Sequence, residues 1–79
     1  MFFVYLLLCS DGTFYTGSTS DVLKRVDQHS KGIGAKYTRG RRPVRLCGFR
    51  KFGTRSEAMK EEAKVKTLKR EEKIKYFIG

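Results

Sequence analysis

Tryptophan is absent from this chain of 79 residues, and proline and histidine occur once each, at Pro43 and His29. The two cysteines, Cys9 and Cys47, form no CxxC pair, and with a single histidine they do not complete an ordinary zinc site. Both lie in strand-like surroundings and read as small buried thiols rather than a disulfide. Repeats, low-complexity segments and linkers are missing too, so residues 1–79 are expected to form a single small domain. Such a domain buries only about 60% of the surface its unfolded chain exposes. No long hydrophobic run exists. Met1–Cys9 is apolar, but it has no basic lead, and Asp11-Gly12 ends it too early for a signal peptide or a membrane span. No stretch joins a wide apolar face to the basic run, which argues against a membrane partner. The expectation is a cytoplasmic protein without a small-molecule cofactor.

Negative charge is also scarce. Eight Asp and Glu face 18 Lys and Arg, a formal net charge of +10. The acids stop at Asp27 and resume at Glu57. Between them lie Lys31, Lys36, Arg39, Arg41, Arg42, Arg45, Arg50, Lys51 and Arg55, half of the cations. A hydrophobic content of 39% and an aromatic content of 13% are too high for a disordered basic tail. A folded domain with this charge calls for a polyanionic partner. DNA is the first candidate and RNA the alternative, with Lys36, Arg39, Arg41, Arg42 and Arg45 expected on phosphates. Tyr37 and Phe49 are conceivable stacking surfaces for RNA, with core packing the blander role.

The hydrophobic pattern predicts an α+β fold: a small three-stranded antiparallel sheet flanked by helices, in the order ββαβα(α). Phe3–Cys9 is apolar on both faces and reads as a central strand. Ser10-Asp11-Gly12 is a turn leading to a second strand, Thr13–Gly17. A two-residue turn would send Tyr5 and Tyr15 to opposite faces. A three-residue turn with Gly12 left-handed pairs Leu7 with Tyr15 and Tyr5 with Gly17, placing both tyrosines on one face, and this register is expected.

A helix should follow over about Asp21–His29, capped by Ser18 or Ser20 and ended by Gly32. Its apolar stripe would be Val22, Leu23 and Val26, with Arg25 and His29 together at the edge. A loop with a helical turn near Ala35–Tyr37 leads to a third strand, Val44–Phe52, with Leu46 and Gly48 on one face. Thr54-Arg55-Ser56-Glu57 is a capping box opening a helix to about Lys69. Ile74, Phe77 and Ile78 mark a short packing helix over Arg70–Ile78.

Val4-Tyr5-Leu6, Tyr15-Thr16-Gly17, Arg25 with His29 four residues on, and a carboxylate in the later helix form an ordered set. This set resembles the GIY-YIG nuclease family, above all its short stand-alone members. The likeness covers nearly the whole chain, and Gly34-Ala35-Lys36-Tyr37-Thr38-Arg39 resembles a loop typical of that subgroup. The first triplet lacks Gly and Ile, the second has Thr16 for Ile, and Ile74 stands near where some members carry an asparagine.

The resemblance implies that Tyr5 takes the proton of an attacking water, Tyr15 holds water or phosphate, and Arg25 clamps phosphate oxygens. It implies that His29 hydrogen-bonds the tyrosines or the phosphate. A phenol with a free pKa of about 10 is a poor base, so cations or a metal-bound water must lower it. Helix spacing leans to Glu62 over Glu61 as the catalytic carboxylate, and the family pattern settles on Glu62. A lone carboxylate suits one Mg²⁺ or Mn²⁺ held by Glu62. The expected function is a metal-dependent endonuclease that hydrolyses DNA by tyrosine-assisted water attack. The alternatives are a non-catalytic nucleic-acid-binding module and an accessory protein that docks an acidic partner. Each residue also has an ordinary reading: core aromatics for the tyrosines, a solvated charge for Arg25, a dipole partner for His29, and a Glu62–Lys66 surface pair.

Overall fold

The computed structural model describes residues 1–78. Three antiparallel strands, β1 (Phe2–Leu8), β2 (Phe14–Thr19) and β3 (Arg45–Phe52), form a sheet in the order β2-β1-β3. Helices α1 (Val22–Ser30) and α2 (Lys36–Arg39) precede β3, and α3 (Arg55–Lys66) and α4 (Arg70–Phe77) follow it. The order ββαβα(α) is therefore observed, with α2 an additional single turn. As its apolar faces require, β1 is central, and Val4, Tyr5, Leu6 and Leu7 are all buried.

The hairpin has the expected register. Tyr5 pairs with Gly17 and Leu7 with Tyr15, and Gly12 at the turn has φ +84°. Residues directly opposite in an antiparallel pair share a face, so Tyr5, Leu7 and Tyr15 point the same way. They join Cys9, Val44, Leu46 and Val26 in one core. Val4, Leu6 and Thr16 point to the other side, toward α3, whose Ala58 and Val65 are fully buried.

Several boundaries and faces differ from the sequence reading. The N-cap of α1 is Asp21, whose carboxylate accepts from Lys24 N–H at 3.1 Å. Ser20 is exposed, and Ser18 is engaged elsewhere. The buried stripe of α1 is Val22, Val26 and His29, whereas Leu23 projects into solvent. His29 is thus a full member of the stripe, wholly buried. In β3, Leu6 pairs with Gly48 but Leu7 pairs with Leu46, so Cys47 is an extra residue in a bulge. The bulge breaks the alternation, which separates Leu46 from Gly48 and turns Phe49 to the Tyr5 side.

The third helix stops at Lys66. The Thr67 hydroxyl takes the Lys64 carbonyl at 2.7 Å, and Glu72 accepts from Lys69 N–H at 2.8 Å to open a new helix. Thr54 caps α3 as expected, accepting from Glu57 N–H at 3.2 Å while its hydroxyl donates to the Glu57 carboxylate at 3.0 Å. Phe77 of α4 packs on Gly48, but Ile78 is exposed. Among the described residues, no helix is long and apolar enough to cross a membrane.

Candidate active site

The sheet face under α1 carries a cluster of rings. The Tyr5 phenol lies 2.9 Å from His29 Nε2, and both residues are almost wholly buried. Tyr15 packs against each, with ring centroids 6.4 Å from Tyr5 and 5.2 Å from His29. Glycine is required where the cluster meets backbone. A Cβ at Gly17 would collide with the Tyr5 hydroxyl and sit 2.6 Å from Cζ. A Cβ at Gly34 would lie 2.5 Å from His29 Nδ1. Those two approaches let β2 lie across the phenol and the loop lie on the imidazole.

Residues 31–44 close over the cluster. Tyr37 stacks on Tyr15 at 5.7 Å and 30°, and Thr38 is fully buried with its hydroxyl 2.7 Å from His29 Nδ1. Tyr37 thus covers the cluster from outside, one face on Tyr15 and itself exposed, so it is not a core residue. Phe49 is exposed too, with one edge contact to Phe3. Of the five basic residues singled out, Lys36 and Arg45 are exposed with no hydrogen bond or ion pair to the rest of the described chain. Arg39 Nε donates to the Gly32 carbonyl at 3.2 Å and Arg42 Nε to the Arg39 carbonyl at 2.9 Å. Arg41 is the most engaged. It pairs with Asp11 at 2.9 Å, donates to the Tyr37 carbonyl at 2.8 Å and covers the Tyr37 ring at 4.0 Å. These arginines staple the loop to itself and to the hairpin, a role that composition alone does not reveal.

Arg25 stands beside the rings, with one guanidinium nitrogen donating to Gln28 at 3.1 Å. Its Nε is buried with no partner at hydrogen-bond geometry, and the guanidinium lies against the Tyr5 phenol, where it opposes the rise of the phenol pKa. An adjoining polar cleft is lined by Ser18, Lys24, Arg25 and Gln28. Glu62 approaches from the other face of the sheet. Its Oε1 accepts from the Ser18 hydroxyl at 2.5 Å, and its Oε2 is 2.8 Å from Lys66 Nζ. Glu61 instead pairs with Lys64 at 3.6 Å and turns its charge toward Tyr76. Glu62 thus has two partners: Lys66, one turn along its own helix as in its ordinary reading, and Ser18, which projects from β2 toward α3.

Electrostatics separates the two members of the hydrogen-bonded pair. Burial pushes the Tyr5 phenol up to about 12, with the charges of Tyr15 and Glu62 adding to the rise and Arg25 opposing it. The surroundings were expected to lower this value; loss of hydration outweighs the one nearby cation. Burial and the Arg25 charge both hold His29 below the ordinary imidazole value. In the resting site the proton therefore stays on Tyr5 and the imidazole is neutral, able to accept it. Burial raises the Glu62 pKa, but the Lys66 and Ser18 hydrogen bonds outweigh it and leave the carboxyl below its usual range. Glu62 is accordingly ionised at neutral pH.

A carboxylate, a guanidinium and a tyrosine–histidine pair around one edge strand form a constellation suited to anionic ester chemistry. The GIY-YIG catalytic domain matches this chain over residues 1–75. The chain belongs to the GIY-YIG family. A UPF0213 protein of Halobacterium salinarum is 52% identical over 77 residues, covering 98% of this chain and 100% of the relative. One from Listeria monocytogenes is 53% identical over 76 residues, covering 96% of this chain and 84% of the relative. Among solved structures, the solution NMR structure of a UPF0213 protein from Bacillus halodurans is similar, with 48% identity and a TM-score of 0.59. That match covers 96% of this chain and 82% of the other. The short single-domain branch of the GIY-YIG family, which acts on nucleic acids, is thus the setting for the residues above.

Proposed function

We propose that this chain is a single-domain, divalent-metal-dependent endonuclease that hydrolyses DNA phosphodiesters by water attack. The observation that carries the reading is the Tyr5–His29 hydrogen bond at 2.9 Å, set between Arg25 and the Glu62-bearing helix in a GIY-YIG chain. Tyr5 is only 1% exposed, so its phenol is shielded in the free protein and the attacking water enters with the phosphate. As that water attacks phosphorus, the Tyr5 oxygen accepts its proton and passes its own to His29 Nε2, while the ester P–O bond opposite the water breaks and the departing oxygen takes a proton from bulk water. The high phenol pKa then costs little, because no free phenolate forms. Arg25 binds non-bridging oxygens, where charge accumulates in the transition state. Tyr15 orients the phosphate or the water.

The donor set fits one hard cation. Among the described residues, no three His, Cys, Asp or Glu cluster, and Glu62 is a carboxylate whose charge reaches Tyr5. One carboxylate completed by water and substrate oxygens is ordinary for Mg²⁺ or Mn²⁺, and Lys66 would yield Oε2 to it. The ion would supply neutralisation of charge on the phosphate.

Exposed Lys36 and Arg45, and the unused donors of Arg39, Arg41 and Arg42, would hold the DNA backbone beside the site. The free thiols of Cys9 and Cys47 suit a cytoplasmic setting. A second reading, a binding module without catalysis, draws on the two internal partners of Glu62. The test is incubation with end-labelled duplex, branched and single-stranded DNA in Mg²⁺ or Mn²⁺ and in chelator. Metal-dependent strand scission supports the enzyme; binding without scission on every substrate supports the module.

A further inference from the structure

We propose that Thr38 is a positioning residue of this site: its buried hydroxyl fixes His29 as the Nδ1–H tautomer and so holds the Nε2 lone pair on the Tyr5 phenol. This rests on the nuclease reading for its consequence, but not for its geometry. A hydroxyl has one proton to give. Thr38 Oγ1 lies 3.2 Å from the Ala35 carbonyl, which can only accept, and 2.7 Å from His29 Nδ1. With the proton directed to Ala35, the hydroxyl must accept from Nδ1, so Nδ1 carries the hydrogen and Nε2 does not.

The far end of the ring gives the same answer. Among the described residues the Tyr5 hydroxyl meets no acceptor except His29 Nε2, since the Arg25 guanidinium beside it can only donate. If Nε2 carried the hydrogen, the Tyr5 proton would have no acceptor in a buried site, a costly arrangement. One direction satisfies every group: Tyr5 O–H to His29 Nε2, His29 Nδ1–H to Thr38, Thr38 O–H to Ala35. The chain's local structure serves this end. Thr38 is the one buried residue of α2, and Gly34 lets the loop reach the imidazole.

The ordinary alternative is a core threonine whose hydroxyl merely finds partners. Thr38→Val keeps the shape and removes the hydroxyl; Thr38→Ser keeps the hydroxyl. His29 is the only histidine, so ¹⁵N-labelled imidazole gives a single pair of ring-nitrogen signals. In the wild type, Nδ1 is expected to be protonated and Nε2 pyridine-like, with Thr38→Ser the same. In Thr38→Val, Nδ1–H loses its acceptor while Tyr5 O–H still favours a bare Nε2, so the single tautomer should give way to a mixture of Nδ1–H and Nε2–H forms and kcat should fall about 10–100-fold, with KM for DNA unchanged. A wild-type spectrum with Nε2 protonated overturns the proposal. So does a Thr38→Val protein whose tautomer population equals that of the wild type, or whose population shifts while it cuts at the parent rate. If Thr38→Val fails to fold, the wild-type spectrum and the activity of Thr38→Ser still decide. A wild type that shows Nδ1–H but cuts no DNA leaves Thr38 as the tautomer-setting residue and removes the nuclease reading instead.

Discussion

Gly17 and Ser18, consecutive residues of an edge strand, serve opposite faces of the sheet: Gly17 lies against the Tyr5 phenol, and Ser18 donates to Glu62 at 2.5 Å. The alternation of β2 thereby joins the ring cluster under α1 to the carboxylate on α3. Replacing Gly17 with alanine puts a methyl group on the phenol, a buried overlap with no room to relax. Gly17→Ala should cost about 1–3 kcal/mol, which in a domain of this size lowers Tm by roughly 4–8 °C per kcal/mol. An unchanged melting temperature would show that the phenol does not occupy that space.

Tyr5→Phe keeps the ring and removes the hydroxyl. Because His29 Nε2 is then left buried and unpaired, stability should fall by about 1–3 kcal/mol, more than for an exposed hydroxyl. If Tyr5 relays the proton, kcat should also fall by roughly 10²–10⁴, with DNA affinity little changed. Stopped single-turnover kinetics beside a binding titration separates these outcomes. Loss of stability with the parent cleavage rate would make Tyr5 a core residue only.

The pH dependence follows from the depressed His29 pKa. The unfolded chain binds a proton near the ordinary value of about 6.5, whereas the folded chain resists it until lower pH. The neutral imidazole's contribution to stability is therefore full above that value and is lost progressively as pH falls toward the folded pKa. The groups facing the ring are Tyr5, Tyr15, Thr38 and the Arg25 charge, none of which favours imidazolium. The acid limb of kcat/KM should accordingly lie below 6.5. Histidine titration at or above that value, followed by NMR, would contradict the relay.

The register of the hairpin and the central place of β1 were legible in the sequence, from alternation and turn chemistry, both local. The resemblance singled out Tyr5, Tyr15 and His29, and the fold brings these three rings together. What escaped was set by tertiary contact. The Cys47 bulge has no local signal, and Asp21 caps α1 because β2 runs through Ser18 to Thr19 and the helix begins only at Val22. His29 looked like an edge residue because polar side chains are not counted in an apolar stripe, although its ring fills the core. Thr38 had a faint signal, as a small hydroxyl residue in the loop, but only the folded chain brings it to Nδ1.

Charge makes a separate prediction. Arg45 is exposed and has no internal hydrogen bond or ion pair among the described residues, whereas Arg41 holds Asp11 and the Tyr37 carbonyl. Arg45→Gln should reduce the slope of log affinity against log salt by about 0.9 for a lost phosphate contact, without altering Tm. Arg41→Gln should lower both, since it also releases the loop from the hairpin. Equal slopes in parent and Arg45→Gln would place the DNA elsewhere.

The most direct test is nicking of a supercoiled plasmid in Mg²⁺ or Mn²⁺ by the parent protein, Glu62→Ala and Glu61→Ala. Parent and Glu61→Ala should convert the plasmid to the open circle at similar rates. Glu62→Ala should fall to background yet keep its fold, because the Lys66 it abandons is half-exposed. A parent protein that binds the plasmid and leaves it intact in both metals, or a Glu62→Ala protein that cuts as fast as the parent, would contradict the account.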